Sequence, residues 1–253
     1  MWGTRFRSGL ATLAALVLAA GCAPAEEAGP VVLAAASMQE GLTAAANAWE
    51  AQGQPAPVVS FASSAAVARQ VGEGGPADLV VIADREWIDW LEAREALGSQ
   101  PRALVTNGLV VVAPLETAGP DSLAELAANP DAGRLAMGEP GSVPAGKFAR
   151  VALQSMGLWE ALAPRVVPGD NVRVSLALVE RGEVPLGIVY ASDAQASRNV
   201  RVVQRIDPDM HPPIIYYLAR TRSSRHPDAQ GFADFLASQQ GRAIIAGHGF
   251  GWP

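Results

Sequence analysis

Short apolar runs alternate with segments of helical periodicity, and this alternation limits the fold more than any other feature of the chain. Runs such as Val31–Ala35 and Leu109–Ala113 are continuously apolar, which is typical of strands buried on both faces of a parallel sheet. Between the runs, apolar residues recur at helical spacing, as at Val172, Leu176 and Val179. Repeated strand–helix units predict an α/β fold of mostly parallel sheets flanked by helices. A chain of 253 residues accommodates two such sheets more naturally than one.

The individual elements follow from the same patterns. Gly182 is expected to end the helix that carries Val179, because glycine favours the left-handed conformation that follows many helices. Strands are predicted at 31–35, 58–61, 78–83, 109–113, 135–137, 186–189 and 214–219, and helices after residue 38 and at 65–70, 86–97, 146–156, 172–181 and near 232–236.

Charge and residue counts exclude several function classes. The chain has 19 Lys and Arg against 25 Asp and Glu, a net charge of −6, whereas nucleic-acid binding requires a basic surface. One cysteine excludes an internal disulfide framework and a cysteine-rich metal site. The three histidines, His211, His226 and His248, have no His-x-x-x-His spacing, so we expect neither a zinc enzyme nor a protein-bound metal.

The first 22 residues have the pattern of an export signal. Arg5 and Arg7 precede an uncharged Ala/Leu run that is too short to span a membrane. The end of the run resembles the lipobox of bacterial lipoproteins, although Ala19 stands where that box usually carries Leu. The resemblance implies lipid attachment at Cys22, with a buried structural cysteine as the alternative. We therefore expect an exported protein, with 1–22 as the signal segment and 23–30 as a tether that a lipid at Cys22 would hold at the membrane.

Several predicted helices begin where a strand has just ended, and this is the edge at which open parallel sheets bind ligands. A helix N-terminus offers unpaired N–H groups and a partial positive charge, so it attracts anions. Several converging N-termini would hold a small dianion without Lys or Arg, and such neutral donors favour a fully deprotonated oxyanion. The junctions are Ser37 with Glu40 in a Ser-x-x-Glu capping box, Ser63-Ser64, Val143–Ala145, and Gly169–Val172, together with Tyr190 at the end of a strand.

Each of these residues also has an ordinary structural explanation. Ser37 and Ser64 can serve only as helix caps, Tyr190 can be a packed aromatic, and residues 144–146 can be a turn. The anion site therefore depends on convergence in space, which these patterns leave open.

Taken together, the junctions resemble those of the molybdate-binding proteins of bacterial ABC importers. The resemblance runs in order from residue 31 to the C-terminus, and Val-Pro-Ala-Gly together with Leu-Gly-Ile-Val-Tyr is its most specific part. The matching stretches are Leu33–Ser37, Ser60–Ser64 with Ala68–Gln70, Pro76–Asp84, Val143–Gly146, Asn171–Arg173 with Ala177–Arg181, Pro185–Tyr190 with Ser192-Asp193, and Gly249-Phe250.

The resemblance implies a type II periplasmic binding protein fold, in which two α/β lobes are joined by two crossover strands. It places lobe 1 at 30–107 and 215–253 and lobe 2 at 108–214. Tyr216-Tyr217 stands where the family commonly has Tyr-Pro, near the second crossover. The residues it implies as ligands of the oxyanion are Ser37, Ser64, Ala145, Val172 and Tyr190.

The implied function is capture of molybdate, and of tungstate, outside the cytoplasm. The protein would catalyse no reaction, use no cofactor and act as a monomer. Its partners would be the permease of an ABC importer and, through it, the ATPase. It would be periplasmic or a membrane-anchored lipoprotein, and it would bind no nucleic acid.

Alternative functions stay open at this point. Another cargo, such as sulfate or a ferric complex, would use the same fold. A remoter alternative is nucleotide hydrolysis, because Gly141–Lys147 nearly matches a phosphate-binding loop, although Phe148 replaces the Ser or Thr that would bind Mg²⁺. No Gly-x-Ser-x-Gly motif of a serine hydrolase occurs.

Overall fold

The computed structural model describes residues 28–253. The predicted signal segment, Cys22 and most of the tether at 23–30 lie outside the described residues. Within residues 28–253, no helix combines the length and the apolarity needed to cross a membrane.

The described chain folds into two five-stranded sheets that share one internal order. The first has the order β2-β1-β3-β10-β4 and the second β7-β6-β8-β5-β9. The strands are β1 Val31–Ala35, β2 Val58–Ala62, β3 Leu79–Ile82, β4 Arg102–Asn107, β5 Leu109–Pro114, β6 Leu135–Gly138, β7 Val166–Gly169, β8 Leu186–Tyr190, β9 Val200–Arg205 and β10 Ile214–Arg220.

Helices cover both sheets. We call the first sheet with α1, α2, α3, α9 and α10 lobe 1, and the second sheet with α4 to α8 lobe 2. The helices are α1 Gln39–Glu50, α2 Ser64–Gly72, α3 Arg85–Glu92, α4 Leu123–Ala128, α5 Pro144–Ser155, α6 Trp159–Leu162, α7 Val172–Glu180, α8 Ala191–Ala196, α9 Ala229–Ala237 and α10 Gln239–Ala246.

Each sheet contains one reversed strand, and that strand arrives from the other lobe. In lobe 1, β10 is antiparallel to both β3 and β4, so the other four strands share one direction. In lobe 2, β5 is antiparallel to both β8 and β9, with the same result. The chain passes between lobes twice, from β4 to β5 and from β9 to β10. Two lobes of mostly parallel strands, joined by two crossovers, confirm the predicted fold class.

The predicted local signals hold at most element boundaries. Asn171 caps α7 through its side chain, and Gly182, just past the end of α7, has the expected positive φ of 68°. One boundary differs: the helix predicted at 86–97 ends at Glu92. The capping box predicted at Ser37 and Glu40 is wrong, because α1 begins without any side-chain cap and both side chains bond elsewhere.

Candidate functional site

A small cavity lies between the lobes, where strands end and helices begin. Its volume is about 20 Å³. Pockets for drug-sized organic molecules usually measure about 300–1,000 Å³, so this one suits a small ion. All five residues predicted as ligands line it, and none of its lining residues is charged: Ala35, Ala36, Ser37, Ser63, Ser64, Ala83, Val143, Pro144, Ala145, Asn171, Val172 and Tyr190.

Lobe 2 contributes the N-termini of two helices. The cap of α7, Asn171, accepts hydrogen bonds from the amides of Arg173 and Val174, at 2.9 and 3.1 Å. This cap leaves the amide of Val172, the first residue of the helix and a lining residue of the cavity, without an intrahelical acceptor.

Helix α5 presents its first turn in a similar way. It begins at Pro144, which has no N–H, and no side chain caps it, so Ala145 carries the first free amide. Gly146 lets this turn approach β6 closely, because a Cβ there would lie 2.1 Å from the carbonyl oxygen of Gly138. Proline and glycine on either side of Ala145 thus fix where its amide sits.

Lobe 1 contributes two buried serine hydroxyls that already form hydrogen bonds within the protein. Ser64 Oγ accepts from the amide of Ala83 at 3.0 Å. Ser37 Oγ lies 2.7 Å from the phenol oxygen of Tyr216. The helix cap of α2 is Ser63, whose Oγ accepts from the amide of Ala66, so Ser64 is not needed as a cap.

The hydroxyl of Tyr190 is buried and has no hydrogen-bond partner within the described protein. An unsatisfied buried hydroxyl costs on the order of 1–3 kcal/mol, so this group calls for a partner that is not part of the chain. Burial raises the pKa of Tyr190 well above that of a free tyrosine, and the nearby Tyr216, Asp193 and Asp84 raise it further. The phenol therefore stays protonated and can donate to an anion.

The cations nearest the cavity are neutralised by carboxylates. Arg173 Nε forms an ion pair of 2.6 Å with Asp193, and its Nη1 donates to Glu40 at 2.9 Å. Burial raises the pKa of Asp193 to about 6, even though the Arg173 guanidinium acts in the opposite direction. Lys147 Nζ donates to Asp84 at 3.0 Å and also to Glu86. Arg173 and Lys147 are thus each paired with two carboxylates, and the residues that line the cavity are uncharged.

The same ion pairs join the lobes. Glu40 belongs to lobe 1 and Arg173 to lobe 2, while Asp84 and Lys147 make a second pair across the cleft. A third contact is the hydrogen bond from Trp87 Nε1 of lobe 1 to the carbonyl oxygen of Ser142 in lobe 2, at 3.2 Å. The lobes are therefore in direct contact around the cavity.

The structure brings together every position that was predicted to bind the oxyanion, but the sequence analysis missed the residues behind them. Tyr216 was noted only as a departure from a family pattern, and the charged group of Arg173, Glu40 and Asp193 was not identified. All of these contacts join residues far apart in the chain, and no local spacing indicates them. Within residues 28–253, no group of three or more His, Cys, Asp or Glu side chains is arranged to hold a metal ion.

Comparison with known proteins gives a consistent result. The family model of bacterial extracellular solute-binding proteins matches residues 30–251. The molybdate-binding protein ModA of Escherichia coli is 40% identical over 91% of this chain and 92% of its own, and ModA of Haemophilus influenzae is 36% identical over 94% and 95%. The chain belongs to the molybdate-binding family of bacterial extracellular solute-binding proteins.

The fold of this family is also found in solved structures. The periplasmic molybdate-binding protein of Azotobacter vinelandii superimposes with a TM-score of 0.79 at 22% identity, over 88% of this chain and 99% of its own. This likeness confirms the fold. As a member of an extracellular solute-binding family, the protein is exported.

Proposed function

We propose that the protein captures molybdate, and tungstate with it, outside the cytoplasm and delivers the anion to an ABC importer. The observation that carries the proposal is the unpartnered hydroxyl of Tyr190 in a neutral cavity lined by free helix amides and serine hydroxyls. The two relatives named as molybdate-binding proteins support molybdate as the cargo. Tungstate is included because it is also a tetrahedral oxyanion with two negative charges.

Each predicted ligand has a defined part in this proposal. Ser37 and Ser64 would donate through their hydroxyls and backbone amides, Ala145 and Val172 through backbone amides, and Tyr190 through its hydroxyl. Hydrogen bonds to a charged group contribute about 1.5–3 kcal/mol each, so together they hold a dianion without any cation in contact. Because the donors lie in both lobes, the anion also holds the lobes together.

The loop at Gly141–Lys147 supports anion binding rather than nucleotide hydrolysis. The amine of Lys147 is bonded to Asp84 and Glu86 of lobe 1, and not directed at the cavity. Phe148 is buried in α5, where a nucleotide hydrolase would need a metal-binding hydroxyl. We infer that the protein catalyses no reaction and requires no cofactor, in line with relatives that are binding proteins.

The remaining parts of the proposal concern organisation and location. We propose lobe limits at 30–107 with 215–253, and at 108–214, which agree with the end of β4 at Asn107 and the start of β10 at Ile214. We further propose a lipid at Cys22 that anchors a monomer on the extracytoplasmic face, where it meets the permease.

Thermal unfolding of the purified protein with sodium molybdate, tungstate, sulfate or phosphate tests the cargo. A ligand at about 1,000 times its Kd adds about 4 kcal/mol to the free energy of unfolding, which is readily measured as a rise in Tm. We expect a rise with molybdate and tungstate. A rise with sulfate and none with molybdate would reassign the cargo, and a rise with ATP and magnesium would revive nucleotide binding.

A further inference from the structure

Tyr216 lies directly behind the anion cavity and touches donors from both lobes. Its side chain is fully buried on β10, the crossover strand that enters lobe 1. Its phenol oxygen lies 2.7 Å from Ser37 Oγ of lobe 1. Its ring packs edge-on against Tyr190 of lobe 2, at 6.1 Å between centroids, and against Phe250 at 5.3 Å. Tyr216 does not line the cavity itself, so any effect on the anion acts through these neighbours.

The hydrogen bonds of Tyr216 can be satisfied in only one direction. Asn107 Oδ1 accepts from the amide of Gly108 at 2.9 Å, which fixes the orientation of the Asn107 amide. Asn107 Nδ2 then donates to the Tyr216 oxygen at 3.3 Å and to Ser192 Oγ at 2.8 Å. Because Nδ2 is a donor, Ser37 Oγ is the one acceptor left for the phenol hydrogen among the residues that the structure describes. Burial raises the pKa of Tyr216, so the phenol keeps that hydrogen.

We propose that Tyr216 is a positioning residue for anion binding: by donating to Ser37 Oγ, it turns the hydroxyl hydrogen of Ser37 towards the cavity. The chain of donors runs from Asn107 to Tyr216, from Tyr216 to Ser37, and from Ser37 to the anion. Ser37 is thereby held as a donor, and it does not offer an acceptor to the proton of a partly protonated anion such as hydrogen phosphate.

The chain of hydrogen bonds also ties Ser37 to the crossovers. Asn107 is the last residue of β4, just before the chain passes to lobe 2, and Ser192 belongs to lobe 2 itself. Tyr216 lies on the returning crossover strand. Asn107, Tyr216 and Ser37 all belong to lobe 1, so the direction of the Ser37 hydroxyl is set within that lobe, and the contact of Asn107 with Ser192 links this set to lobe 2.

The inference depends on the proposed function, and a double-mutant cycle separates the two. Titration calorimetry with sodium molybdate would compare the unaltered protein with Tyr216→Phe, Ser37→Ala and the double variant. We expect Tyr216→Phe to raise the Kd about tenfold, the equivalent of one net hydrogen bond. In the Ser37→Ala background, the same substitution is expected to change the Kd by less than about twofold, because its target is gone.

Tyr217→Phe is the matched control. Tyr217 is the next residue on the same strand, is partly exposed, and does not line the cavity. Removing its hydroxyl is expected to leave the Kd within about twofold of the original value. Tyr216→Phe should also reduce the preference for molybdate over phosphate, because the freed Ser37 oxygen can accept a hydrogen bond from the P–OH group of hydrogen phosphate. Loss of a purely structural contact would weaken the binding of molybdate and of phosphate by the same factor.

The outcomes are distinct. If the unaltered protein does not bind molybdate, the proposed function fails. If it binds and Tyr216→Phe has no effect, or has an equal effect with and without Ser37, the positioning role of Tyr216 is overturned. If Tyr216→Phe does not fold, as judged by thermal unfolding without ligand, Asn107→Ala replaces it in the cycle. Absence of coupling between Asn107 and Ser37 then counts against the proposal in the same way.

Discussion

The two lobes have the same strand order but provide different kinds of donors to the cavity. Lobe 1 provides serine hydroxyls whose oxygen atoms are already occupied, by the Ala83 amide at Ser64 and by the Tyr216 phenol at Ser37. Lobe 2 provides two backbone amides at helix starts and the Tyr190 hydroxyl, which has no partner in the described protein. One half of the site is therefore held by its own hydrogen bonds, and the other half depends on helix position and on the ligand.

Because of this difference, side-chain substitutions remove different donors in the two lobes. Side-chain truncation removes the hydroxyl donors of lobe 1, but it leaves the amides of lobe 2 intact. Alanine scanning would therefore underestimate the contribution of lobe 2 to anion binding. Substitutions in the two lobes should also differ in their effect on stability. The lobe 1 hydroxyls contribute to the stability of the protein without ligand, whereas the Tyr190 hydroxyl does not.

The largest expected effect comes from removing a backbone donor of lobe 2. Val172 is the first residue of α7, where proline is tolerated, and the preceding Asn171 is already extended at φ −157° and ψ 172°, as proline requires. Val172→Pro should weaken molybdate binding by roughly 1.5–3 kcal/mol, or about 10- to 150-fold in Kd. Val172→Ala keeps the amide and is the control for calorimetry. Equal affinities for the two variants would remove this amide from the site.

Ser64→Ala should lower both binding and stability. It removes a donor to the anion, at a cost of roughly 1–3 kcal/mol, and it leaves the buried amide of Ala83 without its acceptor, at a similar cost. Denaturant unfolding without ligand measures the second effect, and calorimetry the first. A variant with normal unfolding would show that the Ala83 amide finds another partner.

Tyr190→Phe should lower binding alone. The lost hydroxyl is expected to weaken molybdate binding by roughly 1–3 kcal/mol. The free energy of unfolding without ligand should stay the same or rise, because the hydroxyl has no partner in the described protein and its burial without one is unfavourable. The contrast with Ser64→Ala is the direct test of the difference between the lobes. Loss of stability without ligand in Tyr190→Phe would contradict it.

A further expected effect is a pH dependence that arises in lobe 2. The folded pKa of Asp193 is about 6, against 3.8 for an unperturbed aspartate. As the pH rises from about 4 to about 6, the unfolded state loses this proton first, so stability should fall over that window and then level off. Asp193→Asn lacks this contribution, so its difference from the original protein in unfolding free energy should change between those pH values. A constant difference would show that the Asp193 pKa is not raised.

The sequence predicts the inner strands well and the edge strands poorly. β1, β3, β5, β6 and β8 were predicted because both of their faces are buried and they read as continuous apolar runs. The strands that were not predicted, β4, β7 and β9, all lie at sheet edges. β4 contains partly exposed polar residues and β9 contains the exposed Arg205, whereas β7 contains Pro168, which edge positions tolerate.

The candidate site divides along similar lines. Local rules for helix starts indicate the junctions that contain Ala145 and Val172, and the resemblance to the family implies these two residues as ligands. The hydroxyl of Ser37 was assigned to a local capping box with Glu40, but it bonds Tyr216, 179 residues away, and Glu40 pairs with Arg173. Both side chains bond residues that are distant in the chain instead of forming the local cap, and a single sequence gives no indication of such long-range contacts.

The exchange of one strand between the sheets also sets the order in which the halves of the protein can be completed during synthesis. All five strands of the second sheet lie between Leu109 and Arg205, so they have been made before β10 exists. The first sheet lacks the strand between β3 and β4 until Ile214–Arg220 has been added. Lobe 1, whose first strands are synthesised before those of lobe 2, is therefore the lobe whose sheet is completed last.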